Sequence, residues 1–463
     1  MHLARLFGTF GVRGIANLEL TPKLAFELGL ALANHLKNRG TVAVGRDNRT
    51  SSEMLEHAVV AGLTDGGCDA LRLGLVPTPA LSFAVRHFGC DAGVMITASH
   101  NPPEYNGIKF WDSSGAGFLR ADERRIERTI SRRSLRRVSW DRVGSSRQVD
   151  ALTPYLRALL GTIGEVRRRL KVVVDCANAA GSVVTPSLLS KLGCEVISLN
   201  CQLDGHFPSR PAEPSPENLR ELTKAVVACR ADLGIAHDGD ADRTIAVDER
   251  GEVLTGDRVF ALVALHHLRE RKRPKIVTTV ATSSVIDDVA AKLKGRVVRT
   301  RVGEPAIIEH FKRYGGDIGG EENGGVIFFD WTPCRDGILT AAKLVGILAE
   351  SGLKMSELDA TLPRYHQRKL KVGCPDELKA RVLEALEGRF SGYEVDRTDG
   401  LRVNFEDGWL LLRPSGTEPI FRCFAEAGEA NRAEELAELG MRELRACIRE
   451  LSRYRSIRPS EAH

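Results

Sequence analysis

No run of about 18 consecutive apolar residues occurs in this chain, so no membrane-spanning helix is expected. Paired CxxC motifs are missing as well. The ten cysteines stand singly from Cys68 to Cys447 without metal-ligand spacing, which argues against a zinc site and for small buried thiols in a reducing compartment. Charge of one sign does not dominate either: the formal net charge is only +5. The basic run Arg120 to Arg137 (RADERRIERTISRRSLRR) is interrupted by acidic residues and has no aromatic residues interleaved, so it reads as a solvated helix and not as a nucleic-acid surface. No signal peptide is evident ahead of FGTFGVRG, Phe7 to Gly14, and the expectation is a cytoplasmic protein with no membrane and no nucleic-acid partner.

What is present is 43% hydrophobic residues, ample for several cores, and strand-helix alternation. Thr41 to Gly45 precedes Ser52 to Gly66; Lys171 to Asp175 precedes Val183 to Leu192; Lys275 to Thr279 precedes Ser283 to Leu293. These units argue for parallel sheets covered by helices, repeated as three loosely similar α/β blocks of about a hundred residues. From Val372 the character changes to a helix, short strands and an amphipathic helix over Arg432 to Leu451, which suggests an α+β lid. Polar stretches at Val143 to Asp150, Val253 to Asp257 and Pro363 to Leu370 place domains at residues 1–150, 151–254, 255–366 and 367–463.

The most telling stretch is TASHNPPEYNGIK, Thr97 to Lys109. The apolar Asp91 to Thr97 reads as a buried strand, so Ser99 and His100 emerge at a strand's C-terminal end, where open α/β sheets bind ligands. Pro102 and Pro103 forbid a helix and give a fixed loop that holds the Ser99 hydroxyl in one place. Serine is a weak nucleophile unless a base, cation or metal assists it. His100, Lys109 and a distant acidic cluster are the candidates. That cluster is HDGDADR, His237 to Arg243, which puts Asp238, Asp240 and Asp242 at alternate positions on a loop where they can converge on one hard cation. An EF-hand fails on spacing, because Thr244 to Val247 resumes a strand where that loop needs further ligands.

Two further loops complete the pattern. GGEENGG, Gly319 to Gly325, offers two carboxylates and an amide to sugar hydroxyls, and RPSGTEPIFR, Arg413 to Arg422, offers two guanidinium groups, hydroxyls and backbone N–H groups to a phosphate that is held without being transferred.

These four loops, in this order and about a hundred residues apart, resemble the active-site loops of the α-D-phosphohexomutases, the superfamily of phosphomannomutase/phosphoglucomutase and phosphoglucosamine mutase, most closely its archaeal-type branch. The resemblance covers Leu6 to about Ala427. It implies a heart-shaped architecture of three similar α/β/α mixed-sheet domains plus a C-terminal α+β lid, and an enzyme that interconverts hexose 1-phosphates and 6-phosphates. It further implies that Ser99 is a phosphoserine in the resting enzyme and that Mg²⁺ is held by Asp238, Asp240 and Asp242 against the Ser99 phosphate. Hexose 1,6-bisphosphate is then the intermediate and activator. Arg13, His100, Lys109 and Arg243 would line the transfer site, with Lys109 or His100 assisting proton transfer. Glu321 and Asn323 would read sugar hydroxyls, and Arg413, Ser415, Gly416, Thr417 and Arg422 would grip the non-reacting phosphate.

Departures from the family pattern bear on the finer expectations. Bacterial members often end the sugar loop in a histidine with an acid/base role, where this chain has Gly325; the Val-Gly-Asp turn appears as Val302, Gly303 and Glu304 followed by Pro305; and Cys334 stands where a glycine usually precedes Arg335, Asp336 and Gly337. None touches the serine or acidic loops. Mannose and glucose phosphates are the expected substrates, with glucosamine phosphate as the rival because Glu321 and Glu322 could favour an amine. The partners are thus small-molecule sugar phosphates, and the protein is a monomer or a homo-oligomer. A phosphatase or a non-catalytic sugar-phosphate-binding protein are the remoter alternatives; the first leaves the RPSGTEP grip without purpose, the second leaves the intact serine and aspartates without purpose.

Overall fold

The computed structural model describes residues 6–8, 11–416 and 418–457. Its first sheet has six strands in the order Val12–Ile15, Tyr105–Asp112, Ala92–Ile96, Thr41–Arg46, Asp69–Leu75 and Ser146–Gln148. Thr41–Arg46 and Ala92–Ile96 are nearly continuous apolar runs covered on both faces by helices, which is how central strands of a parallel sheet read. The second sheet runs Val253–Leu254, Thr244–Val247, Leu233–His237, Lys171–Asp175, Glu195–Leu199, and the third Arg296–Thr300, Lys275–Thr279, Ile318–Gly320, Val326–Phe328.

The sheets are mixed: Val12–Ile15 and Val253–Leu254 add antiparallel edges, and three further antiparallel pairs lie where the loops are. Ala92–Ile96 turns back into Tyr105–Asp112, Leu233–His237 into Thr244–Val247 and Ile318–Gly320 into Val326–Phe328, each pair antiparallel. The serine, acidic and sugar loops are therefore equivalent hairpins at the C-terminal end of one strand in each block. Strand-helix alternation alone argues for parallel sheets; the antiparallel partners escape it because short strands such as Thr244–Val247 carry no crossover helix. A helix expected over Val183 to Leu192 is a 3-10 turn, Ala180–Val183, then Thr185–Lys191: Val184 leaves helical geometry, and Pro186 suits the first turn of the new helix. The basic run forms the helix Arg120–Ser131, anchored by buried Glu123 and Ile126, with Arg120 paired to Glu123 at 2.7 Å. No helix among the described residues is long and apolar enough to cross a membrane.

The fourth sheet is antiparallel, in the order His366–Gly373, Ile420–Ala427, Gly408–Pro414, Leu401–Phe405, Glu394–Asp396, with the helices Lys379–Arg389 and Ala430–Ile457 packed on it. The first three blocks share one apolar core, running from Trp111 through Tyr155 and Phe260 to Phe328, so they bury their surface against each other. The fourth has a core of its own and meets the third through a small contact of Val280 and Ala281 with Trp409 and Leu411. Polar bonds rim that contact: Glu426 accepts from Ser284 N and Trp409 Nε1, both at 2.8 Å, and Arg402 donates to the Val280 carbonyl at 2.6 Å.

Candidate active site

The strand Ala92–Ile96 delivers Ser99 into a tight turn with φ of +53°, a left-handed conformation that costs a non-glycine residue energy unless its surroundings hold it. Arg49 does the holding. Its guanidinium donates to the carbonyls of Ser99 (2.8 Å), Asn101 (2.7 Å), Pro102 (2.5 Å) and Tyr105 (3.0 Å), while Nε rests on Asp47 at 3.1 Å, and both side chains are buried. Sequence reasoning missed this clamp. Its signal was GRDNRTSS, Gly45 to Ser52, a polar run following a buried strand just as HDGDADR does.

The acidic loop closes on the serine from the second block. Ser99 Oγ donates to Asp238 Oδ2 at 2.7 Å, and Gly239 lies so close that an added Cβ would stand 2.3 Å from the Ser99 carbonyl oxygen. Asp240 accepts from Lys109 Nζ at 3.0 Å and from Thr78 Oγ1 at 2.7 Å, all three buried. Asp242 accepts from Arg335 Nη2 at 2.5 Å. Ligand atoms of the three aspartates lie within 4.8 Å of one another, and Oδ1 of Asp240 and of Asp242 is buried without a hydrogen-bond partner. Buried carboxylate oxygens are costly when unpaired, and a convergent all-oxygen set is what Mg²⁺ accepts, so the residues fit that ion.

The electrostatics agree. Burial, and then the facing Asp242 and Asp240, push the Asp238 carboxyl well above its ordinary range. Burial would raise Asp240 too, but Lys109 and Thr78 outweigh it and hold that carboxyl far down. A raised folded-state pKa means that Asp238 contributes stability below the ordinary carboxylate range and loses it as pH rises toward the folded value. Asp240, by contrast, contributes stability above that range, so it is ionised at both pH values compared below. A divalent cation bound by the triad would replace the Asp238 proton. Mg²⁺ is therefore expected to raise Tm clearly more at about pH 8 than at about pH 5. Equal shifts, or none, in a thermal melt at the two pH values would count against cation binding at this triad.

Around the serine, Arg243 donates to both Glu213 oxygens at 3.2 and 3.1 Å and lies 3.0 Å from His100 Nδ1. An acceptor Nδ1 implies a neutral ring protonated at Nε2, and burial followed by the Arg243 and Arg13 charges lowers the His100 pKa to about 2. Arg13 Nη1 donates to Asn101 at 2.8 Å. The structure thus gathers Ser99, His100, Lys109, Arg13, Arg243 and the three aspartates. Thr78, Glu213 and Arg49 join them, and of these only Arg49 lies in a telling run, GRDNRTSS.

In the sugar loop, Glu321 accepts from Gly303 N at 3.0 Å and from Arg335 Nη1 at 2.9 Å, and Asn323 Oδ1 accepts from Gly325 N at 3.1 Å. Arg335 Nε stands 3.1 Å from Glu304. Burial pushes the Glu304 carboxyl up to about 7 despite that arginine. Arg413, Ser415, Gly416 and Arg422 sit apart, on the fourth sheet, while Thr417 lies outside the described residues. Arg413 Nε donates to Asp399 at 2.6 Å, Arg422 to Glu418 at 3.0 Å, Ser415 Oγ accepts from Glu418 N at 3.2 Å, and Lys379 props the loop through the carbonyls of Ser415 and Glu418, both at 2.6 Å. The tie to the other loops is indirect: Asp399 also accepts from Val302 N at 3.0 Å, next to Gly303.

Known proteins share this chain's sequence pattern and fold. Models of the phosphoglucomutase/phosphomannomutase family match throughout: α/β/α domain I over residues 4–137, domain II over 153–251, domain III over 255–365 and the C-terminal domain over 370–441. A phosphoglucomutase/phosphomannomutase of Thermococcus kodakarensis is 46% identical over 96% of this chain and 100% of its own length. A probable phosphoglucosamine mutase of Methanopyrus kandleri is also 46% identical, over 97% of this chain and 100% of its own. A crystal structure of a phosphoglucomutase/phosphomannomutase family protein from Burkholderia thailandensis superposes with a TM-score of 0.88 at 29% identity, covering 96% of this chain and 97% of that one. The protein is an enzyme of the phosphomutase class, an intramolecular phosphotransferase built from four domains. It belongs to the phosphoglucomutase/phosphomannomutase family of the α-D-phosphohexomutases.

Proposed function

We propose that this protein interconverts hexose 1-phosphates and hexose 6-phosphates, with Ser99 as the phosphoryl carrier. The observation that carries the reading is the Ser99 hydroxyl, held 2.7 Å from Asp238 inside a convergent acidic triad. In the resting enzyme Ser99 bears the phosphoryl group. A substrate hydroxyl attacks that phosphorus, the bond to Ser99 Oγ breaks, and the hydroxyl proton passes to a group of the site, giving Ser99 and a hexose 1,6-bisphosphate. After the bisphosphate exchanges ends, Ser99 Oγ gives up its proton to the site and attacks the other phosphorus, the bond from that phosphorus to the sugar oxygen breaks, and the sugar oxygen takes a proton back, leaving phosphoserine and the isomeric hexose monophosphate. Mg²⁺ bound by Asp238, Asp240, Asp242 and an oxygen on Ser99 would supply positive charge against the transferring phosphoryl group.

The chain's own residues bind and orient. Lys109 and Arg243 bring fixed cations to the transfer site. His100, neutral, offers its Nε2 proton as a hydrogen bond. Glu321 and Asn323 read hydroxyls; Arg413, Ser415, Gly416, Thr417 and Arg422 grip the other phosphate. Mounted on a domain with its own core and a small joint to the rest, that grip closes over the sugar and keeps water from the phosphoryl group. We place the domains at residues 1–150, 151–254, 255–366 and 367–463. A cytoplasmic location accords with ten free cysteines.

Glucose and mannose phosphates are the substrates of this reading. One observation favours glucosamine phosphate as a second: Glu304 and Glu321 share the single guanidinium of Arg335 together with Asp242, leaving negative charge that an amine would meet. Phosphorus NMR with Mg²⁺, a trace of hexose 1,6-bisphosphate and each of the glucose, mannose and glucosamine 1-phosphates tests both. Conversion to 6-phosphates is expected, and the ranking of rates identifies the sugar. Release of inorganic phosphate alone would make the protein a phosphatase.

A further inference from the structure

We infer that Arg335 is a positioning residue that couples the acidic loop to the sugar loop, so that a divalent cation at the first and a sugar phosphate at the second strengthen each other's binding. The inference rests on the proposed function for what each loop binds.

One buried, planar guanidinium faces three segments: Nη2 donates to Asp242 of the acidic loop at 2.5 Å, Nη1 to Glu321 of the sugar loop at 2.9 Å, and Nε stands 3.1 Å from Glu304 at the start of the helix Glu304–Tyr314. A rigid fork of this kind cannot follow one carboxylate without turning against the others. Its stem is also fixed. Arg335 forms an isolated bridge with Ile327, and the next residue, Asp336, donates its N–H to the Val326 carbonyl at 2.9 Å. The Asp336 side chain accepts from Leu339 N at 2.8 Å and from Tyr155 Oη and Trp331 Nε1 at 2.9 Å. With the base held, the fork's only freedom is the small adjustment that its three partners share.

Gly325 fits the same account. A Cβ built there would stand 2.3 Å from Arg335 Cδ, so the arginine stem crosses the sugar loop through space that only glycine leaves open. The absence of a side chain at Gly325 is thus the complement of Arg335. The chain of contacts continues outward, since Gly303 N donates to Glu321, Val302 N to Asp399, and Arg413 to Asp399. Occupying the sugar site therefore bears on the Asp242 side chain through the Arg335 guanidinium, while a backbone bond from Thr244 N to the Gly324 carbonyl at 3.1 Å keeps the two hairpins in register.

A merely charge-balancing arginine would be replaced adequately by lysine; a coupling one would not. The test uses full-length protein in a Ser99→Ala background, which carries no phosphoryl group, and measures Mn²⁺ affinity by electron paramagnetic resonance with and without glucose 6-phosphate. The background protein is expected to bind Mn²⁺ about tenfold tighter with the sugar phosphate present, and the sugar about tenfold tighter with Mn²⁺, as reciprocity demands. Adding Arg335→Lys is expected to cut that factor to below about twofold while leaving Mn²⁺ binding alone measurable. Gly325→Ala, which displaces the stem without changing charge, is expected to do the same and decides the matter where the lysine variant does not fold. A factor retained in these variants, or no coupling in a background that binds both ligands, overturns the inference and leaves the proposed function standing. A background that binds Mn²⁺ but none of the glucose, mannose or glucosamine 6-phosphates defeats the proposed function and the inference with it.

Discussion

Ser99→Ala is expected to lose sugar-phosphate interconversion by more than about 10⁴-fold while folding as the parent does. Among the described residues no other hydroxyl stands in its place: Thr97 Oγ1 is engaged by the Ser99 N–H at 2.9 Å, and Thr78 Oγ1 donates to Asp240. The turn itself survives the change, because its left-handed φ of +53° is imposed by the four carbonyls gathered on Arg49, and alanine bears that conformation at the same cost as serine. Activity by phosphorus NMR and the intact mass of the purified protein read the result together. Loss of both turnover and a phosphoryl mass increment fits Ser99 as carrier. Retention of more than about a hundredth of the parent rate would place the phosphoryl group elsewhere.

Much of this site was legible before any coordinates because its loops carry unusual density of chemistry at strand ends. HDGDADR and TASHNPPEYNGIK announce themselves through alternating carboxylates and paired prolines, and the hairpins that bear them flank apolar runs that read plainly as strands. What stayed hidden depends on partners far along the chain. Arg49 looks like any arginine in a polar turn until its fork is seen to span Ser99 to Tyr105, and Arg335 looks like the residue before a helix cap until Asp242 and Glu321, 93 and 14 residues away, meet on it. Thr78 sits at the first turn of Thr78–His87, where hydroxyls commonly cap, and only the tertiary fold turns it toward Asp240. Gly325 is the reverse case: conspicuous as a departure in sequence, and explained once the Arg335 stem is seen to fill its space. Sheet direction was less legible than strand position, since return strands as short as Thr244–Val247 and Val326–Phe328 leave no periodic mark of their own, and the pattern of the longer Tyr105–Asp112 does not tell its direction.

Asp240→Ala should damage both halves of the enzyme at once, stability and chemistry, and that double effect separates it from a plain ligand deletion. Asp240 is wholly buried, and its Oδ2 takes the Lys109 ammonium, also wholly buried, together with the Thr78 hydroxyl. Taking Asp240 from this buried ion pair removes the carboxylate that faces the Lys109 ammonium at low dielectric, a loss of about 3 to 5 kcal/mol by chemical denaturation. The Asp240 backbone carbonyl still accepts from Thr78 N at 3.0 Å, so the loop keeps its path and the loss is electrostatic. Turnover is expected to fall by about a thousandfold, equivalent to roughly 4 kcal/mol, because an oxygen of the proposed cation site goes as well. Asp240→Asn refines the comparison: it keeps the volume and a hydrogen-bond acceptor for Thr78 but no charge for Lys109, and should be nearly as inactive with a smaller loss of stability. A variant that is inactive but as stable as the parent would mean that Lys109 finds full compensation elsewhere, and one that is destabilised but active at saturating Mg²⁺ would remove Asp240 from the cation site while leaving it as the counter-ion of Lys109.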